Sequence, residues 1–397
     1  MKILMIGPGE PSVHNSGLGV AAHNIAFHLS QKVDLKVMDQ NTTDINQKKS
    51  FDHVSKTLTD EELTKEISGV AHLSALPHYF YYEGALGAED EEPALVQTSK
   101  IRKILNEYTS QIIDHTEKES FEVIYAHDWT SIPASIALKK KFNVPLVLHI
   151  HSLDYDRGSS TTNSWVFDIE KEGLEAADVI IAVSQYHATV IEEKYNIPKS
   201  KLRIVHHAVD IPKAFEKNSI FNEKLVVFVG RLTGQKGPEQ FIKIAKLILN
   251  KNANTRFVMA GTGDLMKQLI ESGINNELNG KFHITGQLSP DKLVELYKMA
   301  DVYCMPSVSE PFGLTAIEAA AFGIPVVLSK QSGAAEVLPG ALLADYWDSE
   351  TMASQVLGLL QNEKLCAQIS EQNIIELSKY SWENVADQII EILNAKI

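Results

Sequence analysis

Short apolar runs bounded by glycine, proline or aspartate alternate along the chain with longer stretches whose apolar residues recur at helical spacing. Apolar runs without polar alternation predict strands buried on both faces. With amphipathic helices between them, they predict strand–helix–strand units and parallel sheets. In the first half the strands fall at Lys2–Ile6, Leu35–Met38, Val123–Ala126, Leu146–His149 and Val179–Val183. In the second half they fall at Leu225–Val229, Arg256–Ala260, Phe282–Thr285, Val302–Met305 and Val326–Leu328. Helical patterns fill most gaps, among them Val20–Leu29, Pro238–Leu249 and Ala316–Ala321.

The alternation stops once and restarts. Residues 209–218 are polar and contain Pro212, and a fresh strand begins at Leu225. This predicts a first domain over 1–208, a linker over 209–222 and a second domain over 223–380. A last segment, 381–397, carries Trp382, Val385, Ile389, Ile390 and Leu393 on one helical face. That face is expected to pack back onto the first domain. Residues 41–100 fit no such unit. Within them Tyr79–Tyr82 reads as a packing cluster, with stacking on an acceptor sugar as the alternative, and Glu89–Glu92 as a solvated loop.

A length of 397 residues also favours two domains, and 44% hydrophobic with 22% charged residues is a soluble globular composition. The net charge of -14 argues against nucleic acid as a partner. Cys304 and Cys366 provide neither a disulfide framework nor a zinc spacing, so a cytoplasmic protein is expected. The apolar start Met1–Ile6 ends at Gly7-Pro8-Gly9, too soon for a signal peptide. Membrane association is not indicated.

The stretch Ser307-Val308-Ser309-Glu310-Pro311-Phe312-Gly313-Leu314-Thr315-Ala316-Ile317-Glu318 follows a strand. Pro311 suits the first turn of a helix, whose free N–H groups and dipole would receive a diphosphate. Glu310 and Glu318 would lie about 12 Å apart on one continuous helix, roughly the span from sugar to ribose in a nucleotide-sugar. A capping carboxylate and a surface glutamate would give the same spacing. Gly230-Arg231-Leu232-Thr233-Gly234-Gln235-Lys236-Gly237 sets two cations at the end of another strand. Arg231 and Lys236 can clamp phosphates there, although a solvated turn has the same composition.

Gly17 and Gly19 lack the dinucleotide fingerprint and are read as a flexible loop offering amides to the diphosphate, or as a structural turn. Gln287 and Leu288 stand where backbone groups can hold a base. Gly261-Thr262-Gly263-Asp264 reads mainly as a turn. His127-Asp128-Trp129 follows one strand and His149-Ile150-His151 closes another, so both face the cleft and can bind sugar hydroxyls, with Trp129 as packing or as a stacking surface; histidines satisfied within the structure are the alternative. No metal is expected, because these histidines lack helical or chelating spacing with carboxylates.

Together these motifs resemble glycosyltransferase family four, which also resembles bacterial glycogen synthases. Gly-Arg-Leu…Lys-Gly at 230–237 and Glu-Pro-Phe-Gly-Leu…Glu at 310–318 match its two signatures, flanked by Ala300–Ser307 and Gly323–Val327. The resemblance implies a GT-B fold, α/β, with two Rossmann-like domains whose parallel sheets face across a cleft. It implies a retaining, metal-independent hexosyltransferase that needs no cofactor. Its donor would be an NDP-sugar and its acceptor a carbohydrate or other hydroxyl compound. By the same resemblance Arg231 and Lys236 bind donor phosphates, Glu310 lies near the sugar and Glu318 on the ribose. Phe312, Gly313, Leu314 and Thr315 would supply amides, His151 would be the active-site histidine, Asp128 would lie by the donor sugar and Gly19 in the phosphate loop. Near the linker the family often has Pro-Asn-Gly-Val/Ile-Asp, whereas this chain has His206-His207-Ala208-Val209-Asp210. The expected reaction is glucosyl transfer of the α-glucan type, with cell-envelope or small-molecule glycosylation as the alternative. An NDP-sugar epimerase or hydrolase and a non-catalytic nucleotide-sugar sensor are the alternatives of another class.

Overall fold

A computed structural model describes residues 1–7, 17–39, 71–72, 94–158, 164–212, 217–275, 278 and 280–396. Tyr79–Tyr82 and Glu89–Glu92 lie outside the described residues. The first unit comprises β1 (Lys2–Ile6), α1 (Gly17–Ser30), β2 (Asp34–Asp39), β3 (Ala71–His72), α2 (Ala94–His115), β4 (Val123–His127), α3 (Asp128–Phe142), β5 (Leu146–Ile150), α4 (Trp165–Ala176), β6 (Val179–Ala182), α5 (Gln185–Tyr195) and β7 (Leu202–Ile204). The second comprises β8 (Lys224–Val229), α6 (Pro238–Leu249), β9 (Thr255–Ala260), α7 (Met266–Asn275), β10 (Phe282–Gly286), α8 (Pro290–Met299), β11 (Val302–Met305), α9 (Leu314–Ala321), β12 (Val326–Ser329), β13 (Leu342–Ala344), α10 (Ser349–Gln361) and α11 (Glu363–Leu377). The chain ends in α12 (Trp382–Asn394).

The strands form two sheets, ordered β3-β2-β1-β4-β5-β6-β7 and β10-β9-β8-β11-β12-β13, with every pairing parallel. Strand order reverses between β1 and β4 in one sheet and between β8 and β11 in the other. Such reversals open a crevice at the carboxyl ends of the strands, because the flanking connections leave on opposite faces. All four of these strand ends carry motifs singled out in the sequence.

The apolar runs fold as strands because alternate residues serve two cores. In β1, Leu4 and Ile6 join the core under α2–α5, while Ile3 and Met5 join another under α1. In β8, Leu225, Val227 and Val229 face one core, and Val226 and Phe228 the other. Three strands were absent from the sequence pattern. β3, β7 and β13 have two or three residues each and lie at or next to sheet edges, too short to form an apolar run.

α12 packs with the first unit although the second unit precedes it in the chain. Trp382, Val385, Ile389 and Leu393 are buried with Ile3, Met5, Ala21 and Ile25 in one cluster. Lys32 also reaches Asp387 at 2.6 Å and Glu383 at 3.4 Å, but exposed ion pairs of this kind add little. Apolar burial is what holds the strap. Among the described residues no helix is long and apolar enough to cross a membrane. Ile389→Ala, at a fully buried position, should cost about 2–5 kcal/mol. Urea unfolding followed by tryptophan fluorescence checks this, and an unchanged midpoint would separate α12 from the first core.

Candidate active site

At the second switch point the loop after β8 and the loop after β11 meet. Lys236, in a 3-10 turn over Gly234–Lys236, forms a hydrogen-bonded ion pair with Glu310, and both side chains are largely buried. Arg231 donates to Gln235 Oε1 at 3.0 Å. Gly237 ends the turn at φ 67°, where a Cβ would stand 2.1 Å from the Pro306 carbonyl oxygen. Only glycine lets the two loops approach this closely. The Gly261–Asp264 turn buttresses the loop through Leu232 N–H to Thr262 O at 2.8 Å and Leu265 N–H to Leu232 O at 3.1 Å.

The helix after β11 begins later than expected. α9 starts at Leu314 with Gly313 as its cap at φ 101°, so Pro311 is outside the first turn. Glu310 lies in an isolated parallel bridge with Ser332: its N–H donates to Gln331 O at 2.8 Å and its carbonyl accepts Gly333 N–H at 2.9 Å. The segment from Glu310 to Glu318 is therefore not one helix, and the helical estimate of their separation does not apply. Left-handed Gly313 interrupts it, where a Cβ would be 3.1 Å from Met305 Cε and 3.2 Å from Glu310 Cγ. Phe312 is buried beside the rings of His206 and His207. Thr315 donates its hydroxyl to Val229 O at 3.1 Å and lies 2.8 Å from the Tyr303 hydroxyl, which ties the start of α9 to the end of β8. The N-terminus of α9 and the cations Arg231 and Lys236 thus stand at one strand-end switch point.

Glu318, one turn into α9, accepts a hydrogen bond from the Tyr297 hydroxyl at 3.0 Å. Burial pushes its carboxyl up to about 7, partly opposed by that bond. Leu288 is half-buried against the second core and Gln287 is exposed beyond β10, on the sheet's edge strand.

In the first unit, Gly17 and Gly19 lie in the first turn of α1 rather than in a loop. His127 ends β4, and Asp128 opens α3 in the left-handed region at φ 53°, an unusual backbone for aspartate. Its buried Oδ1 accepts His151 N–H at 2.7 Å, and burial drives its carboxyl well above the ordinary range. Trp129 packs edge-on against Trp165 in the core.

The parallel register sets His127 opposite His149, and His151 follows two residues later on the same face. His149 and His151 stack at 4.2 Å between ring centroids, and His151 stacks on His207 at 5.1 Å. His127 Nδ1 lies 2.9 Å from His151 Nε2. One nitrogen from each of His127, His149 and His151 lies within 4.8 Å of the others, which is metal-ligand reach. Local spacing missed this, because sheet register rather than sequence proximity makes the cluster. Burial lowers His127 and His207 to about 3 and holds His149 and His151 well below the ordinary imidazole range.

A polar seam joins the two units, and sequence reasoning missed it. Ser309 donates to Asp156 at 2.6 Å and lies 3.0 Å from the Tyr186 hydroxyl. Glu336 accepts the Gln185 and Tyr186 amides at 2.8 Å and lies 2.8 Å from His206 Nε2. Asp156, Gln185, Tyr186 and Glu336 lie in no quoted motif, and nothing in the motifs of Ser309 and His206 points to partners more than a hundred positions away.

Residues 210–375 match the family model described as glycosyl transferases group 1, and residues 78–213 match the one described as glycosyltransferase family 4. The chain belongs to the family-four glycosyltransferases. A glycosyltransferase of Methanocaldococcus jannaschii, itself uncharacterised, is 29% identical over 69% of this chain and 75% of its own length. D-inositol 3-phosphate glycosyltransferase of Corynebacterium glutamicum is 26% identical over 71% of this chain and 74% of its own. The structure of sucrose-phosphate synthase from Thermosynechococcus elongatus superposes with a TM-score of 0.78 at 18% identity, covering 100% of this chain and 99% of that one. Anabaena HepE in complex with UDP-glucose gives 0.71 at 18% identity, covering both chains fully. The two-sheet architecture of this glycosyltransferase is the GT-B fold.

The raised carboxyl of Glu318 has a definite sign. Unfolded glutamate ionises near 4.5, so between about 4.5 and 7 the native state keeps a proton that the unfolded state has released. Stability from this group therefore falls as pH rises through that window. Glu318→Gln should be more stable relative to wild type at about pH 8 than at about pH 5. Paired denaturant titrations at the two pH values measure this, and an equal difference at both would place Glu318 in water.

Proposed function

We propose that this glycosyltransferase moves a hexose, with glucose as the preferred sugar, from a nucleoside diphosphate sugar to a hydroxyl acceptor. The transfer retains anomeric configuration and uses neither a metal ion nor a cofactor. The observation that carries the reading is the crevice where Arg231, Lys236 and the N-terminus of α9 converge at one switch point. Those groups suit a diphosphate, and they take over the charge stabilisation that a metal supplies elsewhere. Glu310 then binds sugar hydroxyls and Glu318 the ribose, with backbone amides from Phe312 to Thr315 along the phosphates. Gly17 and Gly19 approach the diphosphate from the first unit, and Gln287 and Leu288 hold the base.

Retention is supported by the family resemblance, and the engagement of the carboxylates argues against a double displacement. Glu310 is paired with Lys236, and Asp128 is turned onto the His151 amide, so neither is placed as a free nucleophile. In this reading the acceptor hydroxyl attacks from the face that the diphosphate leaves. Its proton passes to the departing phosphate oxygen as the new C–O bond forms and the old one breaks. Enclosure between the units limits hydrolysis of the donor. The cytoplasm is the proposed location, consistent with two free thiols, Cys304 and Cys366.

An α-glucan is the preferred acceptor, by the likeness of His127-Asp128-Trp129 to glycogen synthases and a 28% match over 224 residues to glycogen synthase of Mycobacterium tuberculosis. A phosphorylated polyol or sugar is the second reading, favoured by relatives named for inositol 3-phosphate and mannosylfructose-phosphate. Lys236→Ala should lower turnover by at least about a hundredfold, the scale of losing one donor to a developing negative charge, with the fold retained. Full turnover in that variant would overturn the donor assignment. Thermal-shift screening with UDP-, ADP- and GDP-glucose should raise Tm for the matching donor, since binding stabilises the native state according to affinity. No shift with any of them would count against a nucleotide-sugar donor.

A further inference from the structure

The histidines on the sheet face of the first unit make a cluster whose metal-ligand reach glycosyl transfer does not use. His127, His149 and His151 are buried, and His151 stacks with His127, His149 and His207. The Tyr125 hydroxyl lies 2.7 Å from His149 Nδ1, which fixes that ring. Among the described residues His127 Nε2, His149 Nε2 and His151 Nδ1 have no hydrogen-bond partner. Three imidazoles, one of them oriented by a hydroxyl behind it, are the donor set of a borderline-soft divalent ion. One nitrogen from each ring already lies within 4.8 Å of the others, with His127 Nδ1 and His151 Nε2 2.9 Å apart. Tetrahedral zinc needs them about 3.4 Å apart at its usual bond length of about 2.0–2.1 Å, a change that small ring rotations supply.

We propose that His127, His149 and His151 bind one zinc-class transition-metal ion in the floor of the cleft. The fourth coordination position faces the cleft and takes water. The ion is a ligand of the resting enzyme and no part of sugar transfer. Because His151 also faces the proposed donor sugar, the bound ion occupies sugar space and slows the enzyme. That last consequence rests on the functional reading above, whereas the metal site does not.

The test uses tag-free full-length protein, stripped with EDTA and dialysed, titrated with Co²⁺ and then Zn²⁺. Wild type should show one equivalent of low-coordinate cobalt by its visible absorption, displaced by an equimolar amount of Zn²⁺. H151N should weaken cobalt binding at least about tenfold, and H127Q likewise. H115N, on the exposed end of α2, should match wild type. Circular dichroism of each variant establishes its fold, and H151N, at the cleft edge of the cluster, stands if H127Q fails to fold. Absence of the cobalt spectrum in wild type, or its full persistence in folded H151N, would overturn the site. Zn²⁺ inhibition relieved by chelator supports the link to the sugar position. A cobalt-binding enzyme untouched by Zn²⁺ removes that link and leaves the metal site. A protein that binds cobalt but turns over no nucleotide-sugar overturns the functional reading alone.

Discussion

Every strand in both sheets runs parallel to its neighbours, and the placement of the site depends on that constraint. A parallel strand cannot return through a tight turn, so each strand end leads into a crossover and all carboxyl ends of a sheet face one way. Where the order reverses, the crossovers diverge and leave backbone amides uncovered. The cations of the Arg231 loop, the cap of α9 and the histidines of β4 and β5 stand at these points because no other part of an all-parallel sheet has room for them. Chemistry here is a boundary condition of topology.

Most of the fold was legible in the sequence because both faces of each sheet are covered. β1 and β8 read as unbroken apolar runs since Ile3 and Leu4, or Val226 and Val227, look into different cores. That signal needs length, so the three-residue β7 and β13 were invisible. The two cation–carboxylate motifs were legible as motifs, but their conformation was not. Pro311 signals a helix start, yet the left-handed backbone of Gly313 delays it to Leu314, and a tertiary bridge from Glu310 to Ser332 decides between them. The histidine cluster was hidden for a different reason. His127 and His149 are twenty-two residues apart and meet only through the β4–β5 register, which local spacing cannot express.

The cleft is bordered by two unlike surfaces. On the second unit, Lys236 and Glu310 neutralise one another while keeping both charges in place. On the first, burial keeps four imidazoles uncharged and stacked. One wall therefore holds exchangeable charge, and the other holds lone pairs and ring faces. The seam between them carries polar contacts, with Ser309, Asp156, Tyr186 and Glu336 joined by hydrogen bonds, alongside Val183, which is buried in a core of the second unit. Polar contacts of this kind allow two units to move relative to one another more readily than a large apolar interface does.

The strap formed by α12 constrains that movement. The chain crosses between the units once after β7 and again before Trp382, so the two bodies are joined at two separate places. A body pinned at one point can turn about three axes, but one pinned at two points swings only about the line between them. The second crossing therefore removes twisting and sliding and leaves a single hinge-like swing. Cutting the chain ahead of α12 would release freedoms unrelated to opening and closing, and would turn a door into a loose joint.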